Sequence, residues 1–98
     1  MPSYRVTLTV GTLRPGVVPD SVLPAAASSA AEFTTVEARD IMLVRGEPRL
    51  VVRYECPADE PALRIGAVVE ATVGALADVT HGRVTRRDGG AWTLVGSV

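Results

Sequence analysis

Residues 4–10 alternate without a break, with Tyr4, Val6, Leu8 and Val10 on one side and Arg5, Thr7 and Thr9 on the other. An apolar and a polar side at a period of two describe a half-buried strand, and β-branched residues on both sides favour a pleated backbone. One side of this strand needs a cover. The rest of the chain supplies strands and helices in an order that limits how that cover can be built.

Gly11 to Gly16 holds two glycines and Pro15 and reads as a loop. An Ala-rich stretch follows, predicting a helix over 21–33 with Asp20 or Ser21 as N-cap, Pro24 in its first turn, and Leu23 and Phe33 as anchors. Residues 34–44 read as a second strand whose alternation shifts near Asp40, as a bulge there would produce. Arg45 to Pro48 supplies a turn into a third strand, where Leu50, Val52, Tyr54 and Cys56 alternate with Val51, Arg53 and Glu55. Asp59, Glu60 and Pro61 suit a helix start. Ile65, Val69, Val73 and Leu76 then recur at helical spacing, predicting a helix over 60–77 with one buried face. A weaker strand over 79–86, a tight turn at Asp88-Gly89-Gly90 and a short strand over 91–95 carrying Trp92 complete the chain.

Strand, helix, strand, strand, helix, strand is the order of the ferredoxin-like α+β sandwich, in which right-handed crossovers put both helices on one face of an antiparallel sheet. The expectation is a single domain over 1–98 with an extra C-terminal hairpin strand; ninety-eight residues leave no room for a second core. The core would hold Val6, Leu8, Val10, Leu50, Val52, Tyr54, Ile65, Val69 and Val73. The outward face of the central strands would show Arg5, Thr7, Thr9, Val51, Arg53 and Glu55. Domains of this shape that bind RNA display stacking aromatics on that face. These six residues include none, and with a net charge of −1 they argue against nucleic acid.

All ten basic residues are arginine, which a GC-rich coding bias explains without chemistry. A lone cysteine, Cys56, and a lone histidine, His81, form neither an internal disulfide nor a Cys/His zinc site, so no metal or cofactor is expected and a reducing cytoplasm suits the chain. The start of the chain runs straight into the first strand without the pattern of a signal peptide. The longest helical apolar stretch, 67–77, is broken by Glu70 and Gly74 and is too short to span a bilayer.

Arg14-Pro15-Gly16-Val17-Val18, just after the first strand, resembles the Arg-Pro-Gly-apolar-apolar turn of ACT domains, small regulatory modules that bind amino acids. The resemblance implies a ligand-cradling loop at a subunit interface, here Thr12, Leu13, Arg14, Gly16 and Val17. Pro15 and Gly16 are also the ordinary residues of a connecting turn. His81 is the natural starting point for acid-base chemistry near neutral pH, but no sequence neighbour completes a dyad with it, and a surface role suits it better. Cys56 reads as a small buried hydrophobe. Glu37, Asp40, Glu55 and Glu70 are scattered, and Arg83, Arg86 and Arg87 read as a solvated hairpin tip.

The leading expectation is therefore a non-catalytic regulatory or interaction module, a homodimer through its sheet face or strand edges, taking a small polar metabolite at the 12–17 loop. The alternative is a small enzyme of the dimeric α+β barrel kind, with His81 in a cavity beside Arg53 or Glu55.

Overall fold

The computed structural model describes all residues 1–98 and shows the expected ferredoxin-like α+β architecture. The strands are β1 (Ser3–Leu13), β2 (Val36–Val44), β3 (Glu47–Glu55), β4 (Ala77–Asp88) and β5 (Ala91–Ser97); the helices are α1 (Val22–Ala31) and α2 (Asp59–Gly74). They form one sheet of order β2-β3-β1-β4-β5, with every neighbouring pair antiparallel. Both helices lie on one face.

The strict alternation of β1 fixes which side meets the helices. Tyr4, Val6 and Leu8 are buried there beside Leu50, Val52 and Tyr54 of β3 and Val84 of β4, and α2 covers them with Ala62, Ile65, Val69 and Val73. Val10, expected in the same core, packs only at its border, because β1 shifts register against β4 after Thr9. Tyr4 and Tyr54 face each other across the β1–β3 pair, and both reach α2: the Tyr4 hydroxyl donates to Asp59 Oδ1 at 2.7 Å and the Tyr54 hydroxyl to the Ala62 carbonyl at 2.6 Å. Buried hydroxyls with partners keep their apolar rings in the core without the cost of an unmet donor.

Several expectations need correction. Helix α1 is shorter than 21–33 and follows a single 3-10 turn, Pro19–Ser21; no side chain caps it, because the Ser21 hydroxyl donates back to the Val18 carbonyl. Phe33 anchors nothing and is 63% exposed beyond the helix end; Val22, Ala26, Ala27 and Ala30 make the contact, so small residues bring α1 close to the sheet. Helix α2 ends at Gly74, which leaves Leu76 outside it, and the carboxylate of Asp59 goes to Tyr4 and Arg86 instead of capping. The bulge of β2 lies between Val36 and Ala38, not near Asp40. The apolar run after Asp40 has another cause: β2 is an edge strand that α1 meets at Val36 to Arg39, and Ile41, Met42 and Leu43 lie beyond that contact, exposed regardless of the side they point to.

Both hairpin turns are two residues long, Arg45-Gly46 and Gly89-Gly90. Arg45 and Gly46 both take positive φ, 54° and 80°, the mirror-image turn that matches strand twist.

Candidate functional site

The side of the sheet away from the helices is uncovered, and the strand register sets out what it displays. Arg5 lies between Arg53 of β3 and Thr85 of β4, Thr7 between Val51 and Arg83, and Thr9 between Arg49 and His81. Farther out, Arg87 pairs with Trp92 and Thr85 with Leu94 on β5, while Asp40 and Met42 of β2 flank Val51 and Arg49. Half of the ten arginines, namely Arg5, Arg49, Arg53, Arg83 and Arg87, thus share one face of a chain whose net charge is −1.

Acids do not neutralise this face. Arg53 is the only one of the five with a carboxylate within salt-bridge distance, Glu37 at 3.0 Å. Away from this face Arg86 pairs with Asp59 and Asp88, Arg14 with Asp78 and Arg64 with Glu60, while Arg39 and Arg45 have no acidic partner. Burial, with the like charges of Arg53 and Arg87 beside it, holds the Arg5 guanidinium below the usual arginine range. The Nε of Arg49 is buried and has no hydrogen-bond partner, a state that costs stability unless a ligand or water supplies an acceptor.

Trp92 lies across the upper part of this face. The guanidinium of Arg5 sits 4.0 Å from its ring centroid, with Arg53 and Arg87 at 5.4 and 5.5 Å. The ring's negative face partly balances the crowded cations. The expectation of a sheet face free of aromatics is overturned here: it considered only the two central strands, and the fifth strand lays its tryptophan over them.

Below Trp92 the face opens into a groove of about 500 Å³ lined by Thr7, Thr9, Arg49, His81 and Arg83, together with one acid, Glu47. A shallower depression, sharing Arg49 and Arg83, continues it toward Arg5 and Trp92. Two guanidiniums, threonine hydroxyls and an imidazole converging on one concavity offer donors from several directions, the arrangement that suits an oxyanion. A larger open cleft of about 790 Å³, lined by Phe33, Cys56, Pro61 and Ile65, lies at the opposite end. Glu32, Glu55 and Arg64 also line it, and Cys56 is a buried free thiol there.

The sequence-derived candidates fall in different places. In the 12–17 loop, Val17 N–H donates to the Arg14 carbonyl around Pro15 and Gly16, with Gly16 at φ +81°, a type II turn that requires glycine at that position. The side chain of Arg14 is used internally, bonding Asp78 and the Gly74 carbonyl. Thr12, Leu13, Arg14, Gly16 and Val17 line neither the groove nor the larger cleft. Arg83, Arg86 and Arg87 are not one cluster: the outer two face the open side, while Arg86 turns to the helix side and its Nη1 donates to both carboxylate oxygens of Asp59, at 2.9 and 2.8 Å. His81 is exposed in the groove. Glu37, Asp40, Glu55 and Glu70 do not join His81 or Cys56 in any group of three that could hold a metal ion. Arg49 was missed because it sits next to Pro48 and reads as part of the turn. Its place one cross-strand pair from Thr9 shows only in the register.

No helix is long and apolar enough to cross a membrane. No protein-family model matches the sequence, and no curated protein matches it at a significant level. Among solved structures, the chain is similar to a candidate chlorite dismutase at 15% identity with a TM-score of 0.51; the match covers 90% of this chain and 45% of that one, so the chain spans less than half of its neighbour's length. At that identity the likeness is one of fold, the ferredoxin-like α+β sandwich.

Proposed function

We propose that the protein is a non-catalytic binding module whose open sheet face takes a small, multiply charged oxyanion in the groove between Arg49 and Arg83. The observation that carries this reading is the set of arginines on that face without an acidic partner, Arg5, Arg49, Arg83 and Arg87, in a chain that is acidic overall. Crowding like charges on one surface destabilises the fold, and a bound anion would relieve that repulsion. Phosphate and carboxylate groups share the geometry that a guanidinium fork recognises.

Titration with inorganic pyrophosphate and with citrate at low ionic strength, followed by the emission of the single tryptophan, tests the reading. Saturable binding that weakens at least tenfold in Arg83→Met and falls with added salt is the expected result. No saturation by either anion overturns it. Tight binding of a single-stranded oligonucleotide without binding of the small anions would move the same face to nucleic-acid recognition. The catalytic alternative draws support from His81 and Glu47 lining the same groove, and turnover lost in His81→Ala would be its signature.

A further inference from the structure

We propose that the protein self-associates by antiparallel pairing of two β2 edges about a two-fold axis at Ile41, joining two five-stranded sheets into one. This goes beyond the oxyanion reading and does not depend on it. The outer side of β2 is a sheet edge, and unpaired backbone groups along an edge are a template for another strand. Edges that stay single usually carry lysine, proline or inward charges. Here Ile41, Met42 and Leu43 are consecutive and 50%, 41% and 75% exposed.

The hairpin fixes which amides are free. With a two-residue turn, the flanking pair Val44 and Glu47 is hydrogen-bonded, and alternation then directs Asp40 and Met42 to β3 and Arg39, Ile41 and Leu43 outward. The Ile41 N–H bears this out: it finds only the carboxylate of its neighbour Asp40, at 2.8 Å. A second β2 must match outward residues with outward residues, which permits axes at residue 40, 41 or 42 over the apolar stretch.

Charge chooses among the three. An axis at Asp40 sets Asp40 opposite its copy, and an axis at Met42 brings Arg39 against the copy's turn residue Arg45. An axis at Ile41 opposes no like charges: Ile41 meets Ile41, Arg39 meets Leu43, and Asp40 meets Met42. Ile41 and Leu43 of both copies then form one apolar stripe on the helix side, which the stems of Arg39 can cover. Docking through the open face is the less favourable geometry, because it would bring two sets of unpaired arginines together.

Variants with one added cysteine read the register directly, since the native Cys56 is buried. In the proposed pairing the two copies of position 41 lie about 5.5 Å apart between Cα atoms, within disulfide reach. On mild oxidation Ile41→Cys should give a covalent dimer, and Asp40→Cys and Met42→Cys should not. By sedimentation equilibrium the native chain should dimerise, and Ile41→Lys should raise the dissociation constant at least tenfold while circular dichroism stays unchanged. A native chain that is monomeric up to about 1 mM, preferential cross-linking at 40 or 42, or dissociation by Leu94→Lys in place of Ile41→Lys would each overturn the proposal. None of these outcomes depends on whether pyrophosphate or citrate binds.

Discussion

The Tyr4 hydroxyl and the Asp59 carboxylate, 2.7 Å apart, tie the central strand to the first turn of α2, and the same carboxylate receives Arg86 from β4. Three elements meet at one acid. Tyr4→Phe keeps the ring and removes the donor, so chemical denaturation should show a loss of about 1.5 kcal/mol. That is the lower end for a hydrogen bond to a charged acceptor, because Asp59 is half exposed.

The same junction sets the pH limits. Hydrogen bonds from Tyr4 and Arg86 hold Asp59 below the usual carboxylate range, and Arg86 and Thr93 do so for Asp88. A depressed carboxylate contributes stability that is present above its unfolded value near 4 and is lost as pH falls through the folded value. In the alkaline direction, burial together with the bond to Asp59 pushes Tyr4 up to about 12. The unfolded phenol ionises near 10 while the folded one stays protonated, so stability falls as pH rises between about 10 and 12. Unfolding free energies measured across pH should decline on both sides, and Tyr4→Phe should flatten both limbs.

Gly66 of α2 packs directly against Val84 of β4. A Cβ built there would lie 2.5 Å from Val84 Cγ2 and 3.3 Å from Val98 Cγ1. Alanine in a helix interior normally gains about 0.5–1 kcal/mol over glycine. Here overpacking should dominate, giving Gly66→Ala a net loss of about 1–3 kcal/mol. The double variant Gly66→Ala/Val84→Ala should recover part of that loss relative to the sum of its single variants. Additive losses would mean that the helix shifts away freely.

Much of this fold can be read from periodicity. β1 alternates because one side of it is core, and α2 shows its buried face because Ile65, Val69 and Val73 meet a flat sheet. The reading fails where local pattern and tertiary placement separate. The apolar run Ile41 to Val44 imitates a bulge followed by a buried strand, but edge position leaves Ile41, Met42 and Leu43 exposed. The site is less legible still. Arg49, Arg83, Arg87 and Trp92 come from three strands and converge only through pairing, so no spacing in the chain announces them. Arg14 stands out locally, yet its side chain is spent on Asp78 and Gly74.

The 12–17 loop gives a separable test of amino-acid binding. Gly16 has open space around its Cα but takes φ +81°, so Gly16→Ala should cost about 1 kcal/mol through backbone strain alone. If the loop cradles an amino acid, a thermal-shift screen of the twenty amino acids should find one that stabilises the native chain, with the gain reduced in this variant. If none stabilises the chain, the loop is a connecting turn held by Arg14.

Arg5 should show a conflict between stability and binding. Its stack on Trp92 contributes about 0.5–1 kcal/mol, while burial and the guanidiniums of Arg53 and Arg87 oppose its charge. Arg5→Met retains packing against the ring and removes the repulsion. At low ionic strength the variant should melt at or above the temperature of the native chain, and the difference should shrink as salt screens the neighbours. Pyrophosphate, by contrast, should stabilise the native chain more than the variant, because the Arg5 charge, beside the groove, adds to the positive field that attracts the anion. If Arg5→Met is strongly destabilised at every salt concentration, the stack outweighs the repulsion and Arg5 is there to hold Trp92 flat on the sheet.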